Sequence, residues 1–235
     1  MKAKKTRILL VIAIVIALLT TMVVVMAYIP QSPVSRYIED RRIEKLLSAC
    51  STGDVKTVER LLQRYPYLVS SWDRRRGWYP IAFAVRNDHI DVVDILLRHG
   101  ADINVKGPGN PLIFRALDLR NPVLLHELLQ RHANIEARNI FGDSLLHTAV
   151  NYKDQECMKV LITAGIDVNI IDNIGQTPLH LAVSGCNIDI IKMLLNSGAR
   201  TDIADKFGST PMDINERWPD EKTPLIRSIL SGEEL

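Results

Sequence analysis

The sequence predicts an all-α stack of short helix pairs, preceded by one membrane-spanning helix near the N-terminus. Two observations support this prediction. An apolar pattern recurs with a regular period from about residue 38 to residue 235, and a period of this kind is typical of units that stack side by side. A charge-free run, 8–29, comes before the repeats, and a helix of that length is long enough to cross a bilayer.

The composition excludes several classes of protein. The 235 residues carry a formal net charge of only +2, whereas domains that bind nucleic acid are usually strongly basic. The three cysteines, Cys50, Cys157 and Cys186, are too few and too scattered for a disulfide framework, and none has the spacing of a zinc site. A Cys157–Cys186 disulfide stays open at this stage. We expect neither a nucleic-acid partner nor a metal.

The N-terminal region predicts a membrane anchor with a defined orientation. Residues 1–7 carry three lysines and one arginine, so the positive-inside tendency places them in the cytoplasm and the repeats outside it, in the periplasm. The lipid bilayer is then contacted through residues 8–29, and residues 30–37, with two prolines, form a short, stiff linker. The alternative is a cleaved signal peptide, because small residues suit cleavage near Ala27.

The clearest copy of the repeated unit opens at Gly175 with the residues GQTPLHLA and closes with LLNSGA. Related copies open at Gly142 and Gly109, each 33 residues further back along the chain, and at Gly77 after a step of 32 residues. A last copy opens at Gly208, one period further on. Several anchor positions recur together at one spacing, which indicates true repeats.

The pattern has a direct physical reading. Thr177 supplies a side chain that caps a helix N-terminus, and Pro178 has a preset φ that suits the first helical turn. Ala149 and Ala182 are small where neighbouring helices approach. Gly198 ends the second helix in a left-handed conformation.

The period from Gly142 to Gly175, together with the TPLH and LLxxGA patterns, resembles the ankyrin repeat family. The resemblance implies a solenoid of helix-turn-helix units with short β-hairpin-like fingers, about six of them in 38–235, with degenerate first and last units as caps. One unit cannot bury its apolar face alone, so the stack is the folding unit. With its basic N-terminus and single anchor, the chain resembles bacterial membrane-anchored or periplasmic ankyrin-repeat proteins.

Two histidines invite a catalytic interpretation, but the repeat offers a simpler one. His147 and His180 hold the same TPLH-type position, where the resemblance implies a hydrogen bond that braces adjacent turns. No carboxylate or cysteine stands at metal-ligand spacing from them, and no nucleotide-binding, nucleophile-elbow or zinc-protease motif occurs. We therefore expect no catalytic residue, no cofactor and no small-molecule substrate.

In stacks of this family the finger tips and the exposed sides of the first helices form a concave surface for a protein partner. The positions in this chain that the resemblance places there are Arg74, Arg75, Arg76, Trp78, Arg86, Asn87, Asn110, Asp118, Ile140, Phe141, Asp143, Asn151, Tyr152, Ile174, Gln176, Lys206 and Phe207.

Two features of this surface favour binding. Three consecutive arginines, 74–76, precede Trp78 and Tyr79, and these residue types are common in binding hot spots; the alternative is a solvated basic tip. Phe141, Ile174 and Phe207 form an apolar row on successive fingers, which suggests a contact; the alternative is that they pack on one another.

The function that these observations predict is a membrane-tethered protein–protein interaction module, acting as a scaffold, an inhibitor or an immunity-type binder, and not an enzyme. The alternative is an accessory or catalytic subunit of a membrane or envelope enzyme, or of a transporter complex. The residues do not identify the partner.

Overall fold

The computed structural model describes residues 15–16, 18–25, 32–105, 109–217 and 221–233. Residues 15–16 and 18–25 are helical, and within the described ranges no helix combines the length and the apolarity that crossing a bilayer requires. The basic segment 1–7, much of the predicted span 8–29 and the region around Ala27 lie outside these ranges. The anchor, its orientation and its cleavage therefore stay predictions.

The described residues from 32 onward form six consecutive helix pairs, which we number as repeats 1 to 6. Each repeat contains two antiparallel helices, and an extended turn, which we call a finger, leads into each repeat after the first. The helices are α1 (Pro33–Thr52) and α2 (Val55–Arg64), α3 (Pro80–Arg86) and α4 (Ile90–Arg98), α5 (Phe114–Asp118) and α6 (Pro122–Gln130), α7 (Leu145–Asn151) and α8 (Gln155–Thr163), α9 (Pro178–Ser184) and α10 (Ile188–Asn196), and α11 (Pro211–Arg217) and α12 (Thr223–Ser231). A 3-10 helix, Pro66–Ser70, follows α2.

The stack has two layers, one of first helices and one of second helices, with a continuous apolar core between them. Leu46, Leu96, Leu128, Leu161 and Leu194, one from each of the first five repeats, are fully or almost fully buried in this core. Burial of leucines along the whole stack is the main stabilising term, at about 25 cal/mol per Å² of apolar surface. The predicted all-α ankyrin-type solenoid is confirmed.

The first helix begins earlier than the sequence suggested. The linker was predicted to run to residue 37, but α1 starts at Pro33 and is 20 residues long, against seven for α3. Ser32 caps it, because its Oγ accepts a hydrogen bond from the backbone N–H of Ser35 at 3.0 Å, and Pro33 suits the first helical turn. Ser32 and Pro33 therefore start a helix where the prediction had a short, stiff linker.

Two buried histidines brace the later repeats. The Nδ1 of His147 lies 2.7 Å from Ser144 Oγ, and its Nε2 lies 2.8 Å from the carbonyl oxygen of Gln176 in the next finger. A carbonyl only accepts, so Nε2 carries the proton and Nδ1 accepts from the serine hydroxyl. His180 repeats the arrangement, with Nε2 3.1 Å from the carbonyl oxygen of Ser209. The expected brace between adjacent turns is confirmed.

Candidate protein-interaction surface

Each of the later fingers is a tight turn held by an aspartate or asparagine at its start. The Oδ1 atom of Asp172 accepts hydrogen bonds from the backbone N–H groups of Ile174 and Gln176, at 2.8 and 2.9 Å. Asn139 and Asp205 do the same for their own fingers. Such side-chain-to-backbone bonds fix the turn, so the residue at each tip is presented on a defined backbone.

The fingers of repeats 4, 5 and 6 are also bonded to one another. Asn173 donates from its side-chain amide to the carbonyl oxygen of Phe141 at 2.8 Å. Lys206 donates from its backbone N–H to the carbonyl oxygen of Ile174 at 3.0 Å and from Nζ to that of Asn173 at 2.7 Å. Successive tips are therefore held in register by bonds that leave their apolar side chains free.

The apolar row at these tips faces water. The exposed fractions are 67% for Ile140, 71% for Phe141, 44% for Ile174 and 75% for Phe207. The alternative, in which these side chains bury one another, is not what the structure shows. Lys206 beside them is also exposed, so the row is an apolar strip with a basic residue at one end.

The finger before α3 differs from the later ones because it is one residue longer. Asp73 donates its backbone N–H to the carbonyl oxygen of Trp78, five residues on, whereas the Asp172 finger closes after four. The extra residue gives a broad tip on which Arg74, Arg75 and Arg76 are all exposed.

A groove of about 640 Å³ lies between this arginine tip and α1, with Tyr37, Trp72 and Phe83 among its lining residues. Arg74 bridges it, since its guanidinium lies 3.7 Å from a carboxylate oxygen of Asp40, and both side chains are about half exposed. An ion pair this exposed contributes little stability. The sequence interpretation missed Trp72, which is 53% exposed; its position beside an arginine-rich finger was the available signal.

Trp78 was predicted to stand beside the arginines, but it lies on the other side of the finger. It is half-buried, and the Arg86 guanidinium lies 5.8 Å from the centre of its ring. Both residues line a second, smaller cleft of about 130 Å³ between α3 and α5, together with Asn110, Arg115 and Asp118. The structure thus separates the arginine tip and Trp78 into two neighbouring depressions.

The remaining predicted residues divide into exposed and structural ones. Asn151 and Tyr152 are exposed at the end of α7, and the Tyr152 hydroxyl donates to Asp118 at 3.2 Å. Partial burial, aided by Asp118, raises the pKa of Tyr152. Asp143 is half-buried and accepts from the Asn139 side chain at 3.0 Å, while Gln176 offers its carbonyl to His147. Asp143 and Gln176 therefore shape the fingers.

The comparison with known proteins gives the same architecture. The family description "Ankyrin repeats (3 copies)" matches residues 34–107 and 113–205, which is more than half of the chain. The chain belongs to the ankyrin repeat family. Ankyrin repeats indicate a protein–protein interaction module.

Two solved ankyrin structures each match 80% of this chain. The crystal structure of EF0377, an ankyrin repeat protein, is 28% identical with a TM-score of 0.67, over 80% of this chain and 97% of that one. An ankyrin repeat domain from Acinetobacter baumannii AYE is 26% identical with a TM-score of 0.68, over 80% of this chain and 96% of that one.

The curated relatives match about half of this chain. Alpha-latrocrustotoxin-Lt1a of Latrodectus tredecimguttatus is 28% identical over 125 residues, 52% of this chain and 9% of that one. The probable E3 ubiquitin-protein ligase XBOS32 of Oryza sativa is 26% identical over 123 residues, 51% of this chain and 24% of that one. The chain spans less than a third of the length of these relatives.

Cys157 and Cys186 form no disulfide in the structure, so the pairing that the sequence left open is absent. Burial raises the pKa of Cys50 and of Cys157 to about 12 in each case, so both stay protonated and unreactive at neutral pH. In the part of the chain that the structure describes, no three His, Cys, Asp or Glu side chains are grouped to hold a metal ion.

Proposed function

We propose that this ankyrin stack binds a protein partner through its finger tips and concave face while residues 8–29 hold it at a membrane. The observation that carries the binding proposal is the exposed apolar strip formed by Phe141, Ile174 and Phe207. It combines large apolar side chains in water with a hydrogen-bonded backbone beneath them. An apolar strip on an edge that faces solvent marks a contact surface.

Rigidity makes this strip suitable for binding. A protein that binds another loses the conformational freedom of every side chain and loop that becomes ordered at the interface. The fingers are already fixed by Asn139, Asp172 and Asp205, so little backbone freedom remains to be lost. Phe141 and Phe207 have few rotatable bonds and a large contact area. The same tips are therefore expected to provide most of the binding free energy.

The membrane part of the proposal is supported by the sequence. The uncharged run 8–29 follows a basic segment 1–7, which favours a cytoplasmic N-terminus and a periplasmic stack. A tether raises the local concentration of the stack near membrane partners without any new contact. Within that setting the stack acts by surface contact, as a scaffold, an inhibitor or an immunity-type binder.

The binding proposal is tested with variants of the full chain carrying an affinity tag. Phe141→Ser with Phe207→Ser removes the aromatic tips, and Val123→Ser removes an equally exposed apolar side chain, 70% exposed, from α6. We expect the finger variant to lose at least tenfold in affinity for the co-purifying partner and the Val123 variant to keep it. Equal retention by both would contradict a finger-tip site.

The membrane proposal has a separate test. Reporters active only outside or only inside the cytoplasm are fused after Leu235, and the same fusions are immunoblotted for the segment that ends at Ala27. We expect external activity with the anchor retained. Internal activity would contradict the orientation, and loss of the segment up to Ala27 with external activity would show a secreted stack.

A further inference from the structure

The cleft between repeats 2 and 3 is a place where the regular packing of first helices is interrupted. α3 and α5 pack less closely than the first helices of the other neighbouring repeats do. The space between them, about 130 Å³, has Trp78, Arg86 and Arg115 in its lining. Its rim residue Arg86 is exposed, so a group from another molecule has access to it.

Arg115 is an unusual residue for its position. The equivalent residues of repeats 2, 4 and 5 are Phe83, Thr148 and Leu181, all uncharged. Arg115 Nε is buried and has no hydrogen-bond partner among the described residues. Leaving a buried donor unpaired is unfavourable, and an arginine does not lose its charge in a protein. A hydrogen-bond acceptor placed beside Arg115 Nε would therefore stabilise it.

The other polar groups of the cleft add donors. Arg86 lies against the Trp78 ring, with the guanidinium 5.8 Å from the ring centre. The side-chain oxygen of Asn110 accepts from the backbone N–H of Ile140 at 3.0 Å, which leaves its amide nitrogen as a donor. Among the described residues that line the cleft, Asp118 is the one carboxylate, and it already accepts from the Tyr152 hydroxyl. The cleft is therefore rich in donors and positive in charge.

We propose that this cleft binds the carboxylate of an aspartate or glutamate side chain of the protein partner. Arg115 donates to the carboxylate, Arg86 and Asn110 flank it, and the Trp78 ring contacts the aliphatic part of the acidic side chain. Charge complementarity selects this occupant, because charge-assisted bonds from arginine to carboxylate are among the strong hydrogen bonds of proteins. The inference rests on the proposed function and names the chemistry that the partner presents.

The first experiment uses the full chain, labelled with ¹⁵N, in a zwitterionic detergent, and follows the Nε–H signals of its arginines by NMR. The probes are propionate, which carries a carboxylate, and propionamide, which has the same shape without a charge. We expect propionate to shift the Arg115 signal saturably and propionamide to shift it less than a tenth as far. Arg60, exposed on α2, is the internal control. Parallel, unsaturated shifts of the Arg60 and Arg115 signals would overturn the site.

A capped tripeptide, acetyl-Ala-Glu-Ala-amide, distinguishes a protein side chain from a free carboxylate. We expect it to bind at least tenfold more tightly than propionate, because its flanking residues reach Trp78 and the cleft rim, and its glutamine analogue to bind at least tenfold more weakly. Equal affinity for the peptide and for propionate would assign the cleft to a small carboxylate and overturn the proposal.

Two arginine variants complete the test. Arg115→Met should abolish tripeptide binding and leave the unfolding temperature unchanged or raised, since Arg115 Nε has no partner among the described residues to lose. Arg60→Met, on the exposed side of α2, should change neither quantity. Arg115→Lys keeps the charge without the planar fork and should weaken binding at least threefold. Undiminished binding by both Arg115 variants would overturn the proposal. None of these measurements involves the finger tips, so their failure is distinct from failure of the proposed function.

Discussion

The interactions that join repeats 2 and 3 differ from those that join repeats 4, 5 and 6. In repeats 4 and 5 a buried histidine joins its own helix cap to the carbonyl of the next finger, through His147 and His180. In repeats 2 and 3 the equivalent residues are Ala82 and Phe114, which provide no such bond. The later fingers are also bonded to each other, while α3 and α5 leave a cleft.

The junction of repeats 2 and 3 is held instead on the layer of second helices. Arg131, after α6, donates to both carboxylate oxygens of Asp94 in α4, at 2.6 and 3.0 Å, and also pairs with Glu127. A planar fork on a carboxylate gives geometric definition as well as attraction. The comparison shows that different bonds can align the repeats of one fold. Where the bonds join the second helices, as in repeats 2 and 3, a cleft remains between the first helices.

The largest expected effect separates an aromatic side chain inside the stack from one on its surface. Phe114 is 1% exposed, so Phe114→Ala should lower the free energy of unfolding by about 3–5 kcal/mol. Phe141→Ala, which removes the same atoms from an exposed tip, should change it by less than about 0.5 kcal/mol. Denaturant unfolding of both variants, followed by circular dichroism, measures the difference. Equal losses would show that the finger row is part of the core.

The second-largest change in stability is expected from the histidine brace of the later repeats. His147→Ala removes a fully buried ring and leaves the Ser144 hydroxyl and the Gln176 carbonyl without it, so we expect a loss of about 2–4 kcal/mol. His126→Ala, at an exposed position of α6, is the control and should leave the free energy of unfolding unchanged. Hydrogen exchange of the 172–176 finger should rise in the first variant. An unchanged finger would contradict the brace.

Acid should weaken the braced half through the same residue. Burial lowers the pKa of His147 in the folded chain, whereas the unfolded chain has the ordinary value of about 6.5. Protonation of His147 therefore favours the unfolded chain. The contribution of neutral His147 to the free energy of unfolding is fully present above about pH 6.5, and it is lost as the pH falls toward the lowered pKa. One such group changes stability by at most about 1.4 kcal/mol per pH unit. Unfolding at pH 7 and 5 should show a smaller pH dependence in His147→Gln than in the native chain.

The clamp of repeats 2 and 3 should contribute less. The Arg131 guanidinium is largely buried, but Asp94 is about half exposed, so solvent screening reduces the value of the pair. We expect Arg131→Met to lower the free energy of unfolding by about 1 kcal/mol, and Arg200→Met, which breaks the more exposed pair with Asp202, to have almost no effect. If the two variants lost the same free energy of unfolding, the Arg131–Asp94 pair would not stabilise the junction of repeats 2 and 3.

The smallest effect concerns a turn between the two helices of repeat 4. Lys153 has a φ of +55°, a left-handed conformation that is unfavourable for a residue with a side chain, and it is exposed. Lys153→Gly should raise the free energy of unfolding by about 0.5–1 kcal/mol. Lys159→Gly, inside α8, should lower it by about 1 kcal/mol. Thermal unfolding of the two variants compares a glycine in a turn with a glycine in a helix. A lower stability in both variants would exclude backbone strain at Lys153.

The sequence predicted the repeated helix pairs because their signals are local. A Thr-Pro pair at a helix start recurs with the period, and in the structure Thr177 and His180 form the capping box of α9. Residues 33–37 were misjudged because Pro33 was taken as a linker residue, although proline after a serine is equally typical of a helix start.

The surface was harder to predict than the helices. Whether tip residues of neighbouring fingers, such as Phe141 and Ile174, bury each other depends on the offset between the fingers. That offset is set by bonds such as the one from Asn173 to the Phe141 carbonyl, which the sequence pattern does not show. Arg115 was missed because it lies within the first helix of its repeat, at a position that the family resemblance does not place on the binding surface. Comparison of that position across the repeats, where the other residues are uncharged, would have found it.

The cleft between repeats 2 and 3 also affects how the stack unfolds. In an array where each repeat contacts only its neighbours, stability is a sum of repeat terms and junction terms, and the array divides first at its weakest junction. The loosely packed α3–α5 junction is the expected position of that boundary. A carboxylate held there would contact residues on both sides and add to the junction term, so the partner would make the whole array open as one cooperative unit.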